Sequence, residues 1–256
     1  MMGGLMFIVL RSIMPTSKQK SSRNNYNFYA LAAVVFLIIC IISFSGWYVV
    51  NAGSSMHTNS ESALAKETSQ LLKQNGAFVF PQAISVSDVS FTNEEGNVVG
   101  KQHNIGKWSF LFFGYTFCPD VCPTTLAIMQ QMWKNLDSNT KETTQIVLVS
   151  VDIERDTPEQ LKSYMDYFDP NFTAFTGNAK SLKSLTSQLN AVYAKVERVN
   201  ADGETDPNLG YLMDHSANIA ILDPNGDYYG FIQPPFNSKK LLVIVNALHA
   251  AQSPSK

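Results

Sequence analysis

The stretch FYALAAVVFLIICIISFSGWYVV, Phe28 to Val50, carries no charged side chain over 23 residues. No other feature constrains the chain as strongly. At ~1.5 Å of rise per residue, such a run in helical form crosses the ~30 Å hydrocarbon core of a bilayer. Tyr26 and Tyr29 stand near one end and Trp47 and Tyr48 near the other, where aromatic side chains sit at membrane interfaces. The run is longer than the apolar core of a secretory signal peptide, and the NAGSS that follows is a poor cleavage site, so a retained anchor is expected.

Charge sets the expected orientation. Arg11, Lys18, Lys20 and Arg23 precede the run without an acidic residue, and no charge follows it until Glu61. Positive charge is retained in the cytoplasm, which puts residues 1–27 inside and exports the rest. The short N-terminus lacks an Arg-rich amphipathic targeting segment, so the expected site is a bacterial inner membrane with the C-terminal part in the periplasm. The exported part, 51–256, carries 15 basic and 21 acidic residues, a balance that gives no reason to expect nucleic acid as a partner. Three cysteines are too few for a disulfide-stapled scaffold, so the exported part needs an apolar core.

Residues 51–83 are polar and weakly periodic and read as a tether; a compact domain is expected over 84–256. Within it, SDVSFTNEEGNVVG reads as a hairpin turning at Glu95-Gly96-Asn97. WSFLFFGY and QIVLVSV are continuous apolar runs of strand length, the pattern of strands buried on both faces. PTTLAIMQQMWKNL carries a helical apolar stripe. TPEQLKSYMDYF opens on a capping box, with Thr157 at the cap, Pro158 in the first turn and Gln160 three residues on. A short strand, FTAFTG, and a helix, NAKSLKSLTSQLN, follow. ANIAILD and DYYGFI flank Pro224-Asn225-Gly226 as a hairpin, and SKKLLVIVNALHAAQ closes as a helix. The alternation predicts an α/β domain with a central mixed sheet flanked by helices. The polar segment 196–215 reads as a long loop or an extra hairpin.

Two of the three cysteines, Cys118 and Cys122, fall between the first buried strand and the helix after it, in FGYTFCPDVCPTT. Pro123 suits the first helical position, which puts Cys122 at the cap, where the helix start favours thiolate. The pair is open to three uses: a disulfide, a metal site or electron transfer. A disulfide closing so short a ring adds little stability by chain entropy, although an oxidised pair is compatible with a redox cycle. A metal needs a third ligand. Of His57, His103, His215 and His249, His215 is the best placed, because it directly precedes ANIAILD and so can reach the end of the sheet where Cys118 emerges. Two thiolates and an imidazole suit a soft ion, with Cu(I) the best match; zinc would prefer a fourth ligand. Asp120 and Asp214 are candidates to orient these ligands. Asp152, Arg155 and Asp156 read as a salt-bridged loop beside the site.

FFGYTFCPDVCPTT, VSVDIERDTPEQL and YLMDHSANIAILDPNG together resemble the Sco/SenC family of membrane-anchored copper proteins, over roughly Ser85 to Ala250. The resemblance implies a thioredoxin-like fold and one copper ion, Cu(I) or Cu(II), held by Cys118, Cys122 and His215. It implies a role in maturing the copper centre of cytochrome c oxidase, by copper delivery or by reducing that centre's cysteines. Expected partners are the copper-site subunit of the oxidase, a copper donor, a thiol reductase, and the bilayer through Phe28–Val50. Ile153 replaces a proline common in the family's SVDPERDTP. Thioredoxins carry CxxC and a cis-proline beside it; here the spacing is CxxxC, and Ala217 or Asn218 occupies the place of that proline. Both departures favour metal binding over general disulfide exchange.

Overall fold

The computed structural model describes residues 22–206 and 210–252. Helix α1 (Ser22–Gln74) opens the described chain. Its segment Tyr29–Trp47, of mean hydropathy 2.5, is long and apolar enough to cross a membrane, and none of it is buried against protein. The basic residues Arg11, Lys18 and Lys20, which set the expected orientation, lie outside the described residues.

Two compact units divide at Glu61, the second running from Ser62. This unit starts earlier than the sequence led us to expect. Leu72, near the end of α1, is 1% exposed and belongs to the core. Gly76, at φ +92, lets the chain leave the helix, and strand β1 (Ala77–Ile84) follows at once. The segment read as the last part of a tether is thus an edge strand of the main sheet, as its Pro81 fits, since an edge strand can spare an N–H.

Strands β2 (Phe91–Asn93) and β3 (Val98–Val99) form the expected hairpin, and a 3-10 turn at Lys101–Asn104 leads to β4 (Trp108–Gly114). Then come α2 (Val121–Lys134), α3 (Ser138–Glu142), β5 (Thr144–Ser150), α4 (Pro158–Phe168), β6 (Thr173–Thr176) and α5 (Ala179–Gln188). The chain ends with β7 (Tyr193–Glu197), β8 (Tyr211–His215), β9 (Ile219–Leu222), β10 (Tyr228–Ile232) and α6 (Ser238–Gln252). Both halves of the Thr157–Gln160 capping box are made at the start of α4.

The main sheet has eight strands in the order β1-β10-β9-β4-β5-β6-β2-β3. β4, β5 and β6 run parallel, and β9 pairs antiparallel with β4 on its other side. All seven residues of β4 and all seven of β5 are buried, which is why both read as unbroken apolar runs. Segment 196–215 proves to hold the second strand of a separate two-stranded ribbon, β7–β8, which ends on His215 paired with Tyr193.

Candidate metal centre

The site grows from the end of β4. Gly114 closes that strand with its carbonyl accepting from Val151 N–H at 2.9 Å. A Cβ at this position would stand 3.0 Å from Cys122 Sγ and 2.9 Å from Leu148 Cδ1, so the glycine is what admits the sulfur over the strand end. Beyond it the loop is pinned from below. The Asp156 carboxylate, 2% exposed, accepts from Thr116 N–H at 3.1 Å and from the hydroxyls of Thr116 and Ser150, each at 2.6 Å. Burial raises the Asp156 carboxyl above its ordinary value, and the hydroxyl and amide donors work against that rise. The expected salt-bridged loop is therefore only partly present: Arg155 pairs with Asp152, while Asp156 serves the cysteine loop.

Helix α2 begins two residues earlier than Pro123 suggested. Asp120 stands at the cap with no side-chain cap bond, and Cys122 lies inside the first turn. The Cys122 N–H instead points at Cys118 Sγ, 3.5 Å away, so a sulfur takes the place a capping oxygen usually fills. The helix start therefore stabilises a thiolate on Cys118, not on Cys122. A hydrogen bond from the Cys122 thiol holds the Cys118 thiol down to about 3, against a burial cost, with the N–H groups of Cys122 and Asp120 adding to the effect. Cys122, fully buried, is pushed well above its ordinary value, first by its role as donor to Cys118 and then by burial. The two thiols are thus unequal: a half-buried nucleophile at Cys118 and a buried, protonated partner at Cys122.

His215 arrives from the ribbon. Its Nε2 lies 3.5 Å from Cys122 Sγ, and its ring meets Phe112 and Tyr115 edge-on at 5.7 and 6.1 Å. Nδ1 is 3.1 Å from the Ser216 carbonyl. A carbonyl only accepts, so in the neutral ring Nδ1 carries the proton and Nε2 presents its lone pair to the sulfurs. One donor atom from each of Cys118, Cys122 and His215 falls within 4.8 Å of the others. Bonds of about 2.0–2.3 Å to nitrogen and sulfur separate the ligands of one ion by about 3.5–4 Å, so small movements would close the set.

Neither carboxylate proposed from the sequence supports the ligands with its side chain. Asp120 is exposed and its side chain accepts only from Thr124 Oγ1 at 3.4 Å; what it gives Cys118 is its backbone N–H. Asp214 is exposed, because alternation along β8 turns it away from the face that carries Tyr211, Met213 and His215. The groups that do the orienting, the Ser216 carbonyl and the Asp156 carboxylate, gave no local sequence signal. His103 packs on Phe175 at 5.2 Å and His249 lies 2.9 Å from Thr144 Oγ1, both in other parts of the domain.

A mixed sheet flanked by helices, with a nucleophilic thiolate at the strand-to-helix junction, defines a thioredoxin-like domain; the imidazole beside the sulfurs makes it one equipped for a metal. Residues 81–250 match the sequence profile of the family described as SCO1/SenC, and the chain belongs to that family. A Stutzerimonas stutzeri protein named for copper binding is 32% identical over 173 residues, covering 68% of this chain and 81% of its own. The crystal structure of Arabidopsis thaliana ScoI with copper bound superposes with a TM-score of 0.55 at 28% identity, over 64% of this chain and 98% of its own. The solution structure of apo Sco1 from Thermus thermophilus gives 0.57 at 29% identity, over 68% and 95%.

Proposed function

We propose that this chain is a membrane-anchored copper chaperone. It holds one copper ion between Cys118 Sγ, Cys122 Sγ and His215 Nε2 and passes it to the copper-site subunit of cytochrome c oxidase. The observation that carries the reading is the meeting of these three soft donors from two separate parts of the chain, all within 4.8 Å. No carboxylate joins them among the described residues, which favours Cu(I) over hard cations, and the imidazole leaves Cu(II) accessible. Loading takes the proton from Cys122, since Cys118 is already a thiolate. Unloading proceeds by ligand exchange, with the incoming thiols of the partner replacing Cys118 and Cys122. His215 sits on a paired strand and not in an open loop, so its release is a movement of the ribbon. The apolar run and the basic residues before it support an inner-membrane anchor with the domain in the periplasm. A copper donor supplies the ion, and a thiol reductase keeps the pair reduced in an oxidising compartment.

A second reading, thiol–disulfide exchange, is favoured by the inequality of the two thiols. The Cys118 thiolate attacks a partner disulfide and forms a mixed disulfide, releasing one partner thiolate. Cys122 then gives up its proton and attacks Cys118, releasing the second partner thiolate. Two electrons pass to the partner, and Cys118–Cys122 is left oxidised. The readings share sulfurs but not the imidazole. Copper analysis of the reduced full chain in detergent should show one ion per chain in the wild type and a large loss of affinity in His215→Ala. Reduction of a model disulfide should survive in the same variant. Full copper affinity in His215→Ala would refute the ligand set.

A further inference from the structure

The ribbon that brings His215 to the sulfurs has no hydrogen-bonded place in the main sheet. β7 is largely exposed, and an isolated two-stranded ribbon is marginal in water. Its position is therefore set by what its inner face touches. Along that face Met213 enters the core, His215 meets the sulfurs, and Tyr211 meets Arg155.

Arg155 touches every part of the assembly. Its guanidinium carbon lies 3.7 Å from the centre of the Tyr211 ring, 4.8 Å from that of Phe117 and 5.9 Å from that of Tyr115. Nη1 donates to the Tyr211 carbonyl at 3.3 Å, and Nε donates to Asp152 Oδ2. Tyr211 Oη in turn donates to Asp152 Oδ1 at 2.8 Å. One side chain thus joins the ribbon (Tyr211), the cysteine loop (Phe117, next to Cys118) and the loop after β5 (Asp152). Its Nη2 is buried without an acceptor among the described residues. A stranded donor of that kind carries a desolvation cost that an apolar residue filling the same space would not incur.

We propose that Arg155 is a positioning residue, a clamp that holds the β7–β8 ribbon against the cysteine loop and so sets His215 beside the two sulfurs. The inference rests on the copper reading above but concerns the ribbon. It states that the ligand geometry depends on a residue that touches no ligand atom and lies in the loop between β5 and α4.

The test is a double-mutant cycle on the reduced full chain, with Cu(I) affinity measured against a competing chelator. Arg155→Ala should weaken binding by about 10–100-fold when His215 is present, the range for residues that orient ligands. In the His215→Ala background the same change should cost less than about twofold, because the clamp then has no imidazole to place. Equal losses in both backgrounds, or no loss in either, would overturn the proposal. Arg155→Lys, which keeps the charge but not the planar stack, should show the same coupling at smaller size, and it guards against misfolding of the alanine variant. A second readout needs no metal. With histidine rings labelled in the metal-free chain, Arg155→Ala should move the His215 ring signal toward that of a free imidazole and leave His103 and His249 in place. An unmoved His215 signal would overturn the clamp. If the wild type bound no copper, the chaperone reading would fail while the ring signal still decided the clamp.

Discussion

The unequal thiols make a prediction that separates thiolate content from reactivity. The perturbation is pH, applied to the reduced, metal-free full chain. An ordinary thiol at 9.0 is ionised in about one molecule in a thousand at pH 6, whereas Cys118, held down to about 3, is ionised almost completely. The gain is offset, because nucleophilicity falls with pKa with a slope of about 0.4–0.5, which over some six units is a loss of a few hundred-fold. The two effects nearly cancel at about pH 6, so the absolute alkylation rate there is not diagnostic, but the shape of the profile is. An ordinary thiol speeds up about tenfold per unit up to pH 8; Cys118 should vary by less than about twofold from pH 5 to 8. The assay is iodoacetamide labelling, quenched at intervals and assigned to each cysteine by mass spectrometry. Cys122, fully buried and protonated, should stay unlabelled while the domain is folded. A Cys118 rate that climbs tenfold per unit through neutrality would refute the assignment of the thiolate and, with it, the view that the start of α2 serves Cys118.

Two further outcomes follow from the groups around the cysteine loop. Asp156→Ala strips the acceptor from Thr116 N–H and from two hydroxyls; with charged hydrogen bonds worth about 1.5–3 kcal/mol each and relief of the buried charge set against them, we expect a net loss of about 2–4 kcal/mol, read from thermal unfolding in detergent, and no loss would show that the loop is held elsewhere. The Cys118 thiol is depressed in the folded chain, so unfolding between about 3 and the ordinary 9.0 takes up a proton there, and the reduced metal-free chain should gain stability relative to Cys118→Ser as pH rises from about 4 to 8 and lose it again on acidification; an identical pH dependence in the two chains would contradict this.

The parts of the fold that were legible in the sequence are those fixed by local chemistry or by deep burial. β4 and β5 announce themselves as unbroken apolar runs because both of their faces are covered, and α4 announces its start through Thr157 and Gln160. The order of strands and helices, and the meeting of Cys118, Cys122 and His215, followed from where those residues fall relative to such strands. What escaped depends on distant partners. β1 owes its existence to β10, with Ala77 opposite Ile232, and nothing near residue 77 reports that pairing. The ribbon strand YAKVE is mostly exposed and so lacks the alternation that marks a half-buried strand. The helix start was misplaced because Cys118 Sγ acts where an oxygen cap was sought, and proline is tolerated throughout a first turn. Asp214 is adjacent to His215 in sequence and on the opposite face in space, which a single step along a strand always produces.

On the copper reading, the arrangement makes metal affinity depend on thiol redox state with no moving part beyond the pair itself. Oxidation of Cys118 and Cys122 to a disulfide consumes two of three donors and leaves one imidazole, too little to retain Cu(I). The same oxidation is the end point of the exchange reaction, so delivering copper and reducing a partner draw on one pair of sulfurs, and a chain cannot do both without being reduced in between. His215 is the part that only the metal uses. Its tautomer is set by the Ser216 carbonyl, its edge contacts by Phe112 and Tyr115, and its strand by a ribbon packed through Tyr211 onto Arg155. A domain needing only a reactive dithiol has no use for that apparatus, since Cys118 is already activated by the start of α2 and by the Cys122 thiol. The cost of holding an imidazole at that point argues that metal, rather than electrons alone, is what the site is arranged to handle.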